Sequence, residues 1–229
     1  MKPLLSSANA KLEKGNAYGW QTLGLSLAPY TLSGSNLCPH ASKGCAAACL
    51  YTSGHGRFDA VKSARLERTR RFLTDRAAFL EQLKLEIAKG ERSAKRKGMR
   101  LAVRLNVLSD LPWHNLIDMG EFQAVQFYDY TPNPRRMLQW AKGELPSNYH
   151  LTFSRKEDNG EAVNLAIANG VNVAAVFDSL PDEYAGRRVI DGDLSDLRFL
   201  DPRGVIVGLK AKGDGKKDHS GFVIRNLQH

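Results

Sequence analysis

Val173-Ala174-Ala175-Val176-Phe177 and Gly204-Val205-Ile206-Val207-Gly208-Leu209 are two short runs with almost no polar residue in them. A strand with one wet face alternates apolar and polar residues, whereas a strand covered on both faces reads as a continuous apolar run, as in a parallel sheet. Further runs of the same length surround them. Gly19–Pro29, Met99–Val107, Ala124–Asp129, His150–Ser154 and Arg187–Asp191 all read as strands, the first stopped by its proline. Helical patterns separate them. Pro134–Lys142 is ended by Gly143 and Glu161–Asn169 by Gly170. Strands alternating with helices predict an α/β fold whose sheet is largely parallel. About seven strands point to an irregular or incomplete (β/α) barrel-like arrangement rather than a closed eight-fold barrel.

Residues 59–98 break the alternation with an arginine-rich helical segment. Asp59 is the expected N-cap of a helix over 60–73 carrying Arg65, Arg68, Arg70 and Arg71. Thr74 or Asp75 is expected to cap a second helix to about Lys89, with Phe79, Leu80, Leu83 and Ile87 as its buried stripe. Glu91–Gly98 reads as a basic, mobile end. Residues 1–18 read as an irregular surface arm, and 19–58 as the first strand with a glycine-containing loop. The 229 residues make one domain, with 99–229 as its alternating β/α portion.

All three cysteines, Cys38, Cys45 and Cys49, lie within twelve residues of one another in the loop that follows the first strand. An odd number of thiols cannot be fully paired, and no distant cysteine exists to complete a disulfide. Three clustered thiolates suit an iron–sulfur cluster with one iron left to another ligand. A zinc site with His40 or His55 as fourth ligand is the competing reading. Plain buried or redox-sensing thiols are the bland one.

The strand ends are unusually polar, and in parallel α/β folds ligands collect beyond the carboxyl ends. Arg104, Asn106, Asp129, Ser154, Asp191 and Lys210 are therefore the pocket candidates, with a small-molecule ligand at the open iron. Pairing of these charges to keep the sheet edge solvated is the alternative for any one of them.

The net charge is +9, and residues 57–100 hold fourteen Lys or Arg against six Asp or Glu, so most of the excess is there. Arg65, Arg68, Arg71 and Arg76 are the candidates for a nucleic-acid backbone, against the reading of a solvated helical face. No apolar run reaches bilayer length and the N-terminus lacks a signal-type core, so a cytoplasmic protein without a membrane partner is expected. Phosphate-binding glycine loops and a complete calcium loop are absent from the sequence.

Several phrases, taken in order, resemble a known family. They are Pro29-Tyr30-Thr31-Leu32-Ser33-Gly34, Asn36-Leu37-Cys38-Pro39, Arg104-Leu105-Asn106 with Ser109-Asp110, and Phe127-Tyr128-Asp129-Tyr130-Thr131. Val189-Ile190-Asp191-Gly192-Asp193, Asp196-Leu197-Arg198-Phe199-Leu200-Asp201 and Gly208-Leu209-Lys210-Ala211-Lys212-Gly213 continue the series. Together they resemble the gene product 88-like family of bacteriophages and mobile elements. The resemblance implies a [4Fe-4S] cluster on the three cysteines, a barrel-like α/β fold and residence in the host-cell cytoplasm. It is similar in arrangement to radical S-adenosylmethionine enzymes, whose three-cysteine loop also follows the first strand. Those enzymes space their cysteines C-x3-C-x2-C, whereas this chain has C-x6-C-x3-C and no clear Gly-Gly-Glu segment. S-adenosylmethionine is accordingly a weaker expectation than the cluster, and a nucleic-acid-binding protein with a structural iron–sulfur or zinc site is the alternative function.

Overall fold

A computed structural model describes residues 2–7 and 14–225. Ten strands form one largely parallel sheet, accompanied by five α-helices among the described residues. The strands are β1 (Leu5–Ser6), β2 (Trp20–Leu25), β3 (Arg100–Arg104), β4 (Val125–Thr131) and β5 (Tyr149–Ser154). They continue with β6 (Val173–Phe177), β7 (Glu183–Tyr184), β8 (Arg187–Asp191), β9 (Ile206–Lys210) and β10 (Val223–Ile224). The helices are α1 (Lys43–Ala47), α2 (Asp59–Thr74), α3 (Arg76–Arg96), α4 (Pro134–Ala141) and α5 (Gly160–Ala168).

The sheet order is β1-β2-β3-β4-β5-β6-β9-β8-β7. From β2 to β8 every pairing is parallel; the short β1 and β7 add antiparallel at the two ends. The sheet is not closed. β5 pairs with only the first two residues of β6, and β10 takes over beside Val176 and Phe177. The chain's C-terminal part is thereby brought to the carboxyl edge.

Register settles what each face does. Leu23, Val103, Phe127 and Tyr149 lie in line across β2–β5 and face the helices. The stripe Phe79, Leu83, Ile87 and Ala94 of α3 packs on them at helical spacing. Gly90 lets this helix approach closely: a Cβ there would stand 2.7 Å from a Leu23 methyl. Farther along, α4 and α5 cover β4–β6. The opposite face carries Trp20, Ala102 and Tyr128, and the segment after β8 folds over it, seating Leu197 and Phe199. Both faces of the central strands are therefore covered, which is why their sequences look uniformly apolar.

Several boundaries differ from the sequence reading. Phe58, not Asp59, is the N-cap of α2, and Asp59 occupies its first turn, where a carboxylate favours the helix dipole. Asp75 caps α3 through Ala78 N as expected. The basic stretch after Lys89 is not a loose end but the last turns of α3, held because Ala94 is buried. Nor is the start of the chain a surface arm throughout. Leu4 and Leu5 are buried, and their amides donate to the Glu86 carboxylate at 2.8–3.0 Å. Within that arm, residues 8–13 lie outside the described set.

Candidate metal centre at the carboxyl edge

Because β2–β6, β8 and β9 all run in one direction, their carboxyl ends share one edge, and the cysteine loop lies across it. The amide of Tyr30 donates to Cys38 Sγ at 3.3 Å, and that thiol in turn reaches the Leu108 carbonyl beyond β3, also at 3.3 Å. Cys45 lies within α1, whose N-cap Ser42 accepts from Cys45 N. Cys49 follows immediately and starts a 3-10 turn at Leu50–Thr52. That turn packs against another at Gly213–Lys217 after β9.

Glu157, after β5, fastens the loop from below. Its carboxylate accepts from Ser42 Oγ and from Gly44 N, both at 2.7 Å. A Cβ on Gly44 would stand 2.8 Å from both Glu157 Oε1 and the Phe222 Cβ, so only glycine fits between α1 and the C-terminal segment. A charged acceptor contributes about 1.5–3 kcal/mol per hydrogen bond. Glu157→Gln, which turns one of its two acceptors into a donor, is expected to speed alkylation of Cys45 in metal-free protein several-fold and to lower stability by about the worth of one such bond. An unaltered alkylation rate would show that the clasp does not hold the loop.

All three thiols are half-buried and free of disulfides. Burial pushes Cys38 up to about 11, with Cys49 adding to it, and Cys45 up to about 12, with Cys49 and Cys38 adding. Cys49 is also raised by burial, while Arg65 pulls it down. Cys38 and Cys45 thus feel the charge of neighbouring thiols, and burial keeps all three protonated at neutral pH. Positive charge favours the thiolate form, and Arg65 beside Cys49 and Lys156 beside Cys45 act in that direction. Among the described residues no three His, Cys, Asp or Glu side chains converge tightly enough to hold a metal ion, so the thiols are neighbours by charge rather than a closed cage. His40 is half-buried and close enough to Asp110 to favour its charge; His55 is exposed and stacks on Phe58 at 5.4 Å.

The pocket candidates divide. Asn106 and Asp129 are buried and belong to the framework. Asn106 N and Nδ2 and the Tyr149 hydroxyl donate to Asp129, while Asn106 Oδ1 accepts from Ser109, Leu111 N and Trp113. Arg104 points to the opposite face, ion-paired with Asp196 at 3.0 Å over the Tyr130 ring. Burial alone would lower its pKa, but Asp196 and the tyrosines outweigh that and hold it charged. Asp191 and Lys210 face each other at 3.7 Å near the edge, and Ser154 is half-buried at the end of β5 with its carbonyl bound by Asn159. Cavities of about 340 and 160 Å³ open at the amino ends instead, the larger against Gln21 and Lys97, the smaller against His150 and Arg203.

Asp129 carries a pH signature. Burial pushes it up to about 7, against the Asn106 amide and Arg104, which favour the carboxylate. The unfolded carboxyl titrates near pH 4. Between about pH 4 and about 7 the folded state keeps a proton that the unfolded chain has lost, so this group's contribution falls as pH rises through that window. Urea unfolding at about pH 5 and about pH 8 should show the stability gap between wild type and Asp129→Asn narrowing at the higher pH; a gap independent of pH would contradict it.

Of the four arginines marked for nucleic acid, Arg65 donates to the Gly56 carbonyl and Arg68 to those of Pro3 and Ser26. Arg71 binds Gln82, and Arg76 sits 4.9 Å over the Phe72 ring. They stitch α2 to its neighbours. Sequence reasoning passed over Glu157, Lys156 and Arg136, which lie far from the cysteines along the chain and carry no motif, and it quoted Asp110 without finding its partner Arg136.

An open parallel sheet with a three-thiol loop laid over its carboxyl edge defines an α/β protein with a cysteine-based candidate centre. The model of the gene product 88 family matches residues 3–226, nearly the whole chain. The chain belongs to that phage-like family. No curated protein and no solved structure matches it. Among the described residues no helix is long and apolar enough to cross a membrane.

Proposed function

We propose that the protein is an iron–sulfur protein that holds a [4Fe-4S] cluster through Cys38, Cys45 and Cys49, leaving one iron for a small-molecule ligand. The observation that carries this reading is the gathering of three free thiols on one loop at the carboxyl edge. Their donor set suits the group: sulfur only, half-buried, with Arg65 and Lys156 placed to offset the negative charge of a thiolate-bound cluster. When bound, the cluster supplies one-electron redox chemistry. The chain's own contribution is to anchor the loop through Glu157 and Gly44 and to shield the sulfurs.

Metal and sulfide analysis of anaerobically purified protein tests this. About four iron and four sulfide per chain, with a brown colour, is the expected result. Colourless protein holding stoichiometric zinc after reconstitution with iron and sulfide would replace the cluster by zinc. A radical S-adenosylmethionine role is the finer form of the proposal, supported by the placement of the loop directly after the first parallel strand. Its test is formation of 5′-deoxyadenosine by the reduced protein, and no product would leave a redox or structural cluster.

A further inference from the structure

On the basic helices Arg65 and Arg68 are engaged with backbone carbonyls, which leaves them less free for a phosphate. A different surface is assembled only in three dimensions. The turn at Gly213–Lys217 seats against the turn at Leu50–Thr52, with a Cβ on Gly213 reaching 2.9 Å from that of Ser53. Gly215 likewise faces Ala48. Lys216 and Lys217, exposed and outside the ion pairs of the described residues, thereby belong to a turn seated on the loop that also carries exposed Lys43 and Arg57. Exposed aromatic side chains belong to the same loop. Phe58 is 52% exposed and backed by the parallel ring of His55, at 5.4 Å and 24°. Tyr30, 41% exposed, is held with φ at 46°, a backbone that a residue with a side chain rarely adopts, by the turn that also presents its amide to Cys38.

We infer that this face, formed by the cysteine loop and the Gly213–Lys217 turn, binds single-stranded nucleic acid. Cations and exposed aromatic rings carried by one loop and the turn seated on it match what an unpaired strand offers, phosphates along one side and base faces along the other. An acidic protein would be attracted by the lysines but would make no use of bare ring faces, and a duplex keeps its base faces stacked away. The site does not depend on the iron–sulfur reading; it needs only the loop in place.

Fluorescence anisotropy of the full chain with a labelled strand of about 16 nucleotides tests this, using DNA and RNA versions, the matching duplex and polyglutamate as competitors. Tight binding at low salt is expected, weakening steeply between about 50 and 200 mM salt. Lys216→Gln with Lys217→Gln should reduce the salt slope by about 1.4, at about 0.7 for each single-strand phosphate contact. Phe58→Ala should weaken binding about tenfold without changing the slope, because a lost stacking contact releases no counterions. Lys95→Gln with Arg96→Gln, at the far tip of α3, removes the same charge and should change little. No binding at low salt, equal loss from the α3 variant, or competition by duplex or polyglutamate as strong as by the single strand would each overturn the proposal. Iron content, recorded on the same samples, reports the cluster separately, so either reading can fail alone.

Discussion

Cys45→Ser, purified without oxygen, will hold almost no iron, against about four per chain in the wild type. Cys38→Ser and Cys49→Ser are expected to do the same. A serine hydroxyl is a poor substitute for a thiolate toward iron, and two remaining sulfurs cannot hold a compact cluster at three corners. Cys45 is the most telling position, because its sulfur feels both other thiols while its helix is clasped by Glu157 and Gly44. The substitution is close in size and lies on a half-buried loop, so thermal unfolding of the metal-free proteins should be nearly unchanged. Visible absorption and iron content check the first part, and circular dichroism the second. Retention of wild-type iron by all three variants would show that the cluster, if present, is held elsewhere.

Arg136→Ala is expected to have the largest effect on stability, about 3–5 kcal/mol. Asp110 and Arg136 are both almost fully buried, 2.7 Å apart, beneath the loop that carries Cys38. Thr131 Oγ1 also donates to Asp110, whose amide binds the Leu37 carbonyl. Removing the guanidinium leaves a buried carboxylate with one hydroxyl for company, and burial already favours its protonated form. Replacing both partners, Asp110→Asn with Arg136→Met, should recover much of the loss, because the charge to be desolvated is gone. Chemical denaturation of both variants decides this. A cost below about 1 kcal/mol for Arg136→Ala would mean that water reaches Asp110 and the pair is an ordinary exposed one. Cys38 should also become more reactive toward alkylating reagents, since Asp110 anchors the segment just before it.

Much of the architecture was legible because it depends on near neighbours in the chain. The apolar runs at Val173–Phe177 and Ile206–Lys210, the proline start of α4 and the glycine after α5 all report local geometry, and the seven parallel strands lie where the patterns put them. The short pieces were not legible. β7 turns into β8 through Ala185 and Gly186, both with positive φ, and alanine gives no warning of such a turn. β10 is two residues long and exists only because β5 stops short beside β6. The basic end of α3 looked loose because charge hides a helix whose single buried alanine holds it to the sheet.

The same division runs through the site. Chain order alone determined that three thiols stand together after the first strand, and that polar residues crowd the strand ends. Which of those polar residues face the thiols is a matter of which loops the parallel sheet stacks side by side, and composition carries no record of that. Tertiary structure turned Asn106 and Asp129 inward as framework, sent Arg104 through to Asp196 on the opposite face, and drew Glu157 and the Gly213–Lys217 turn to the cysteine loop. The physical reason is that a hydrogen bond or ion pair between residues distant in the chain is selected by packing, once the alternation of the strands has decided which side chains share a face.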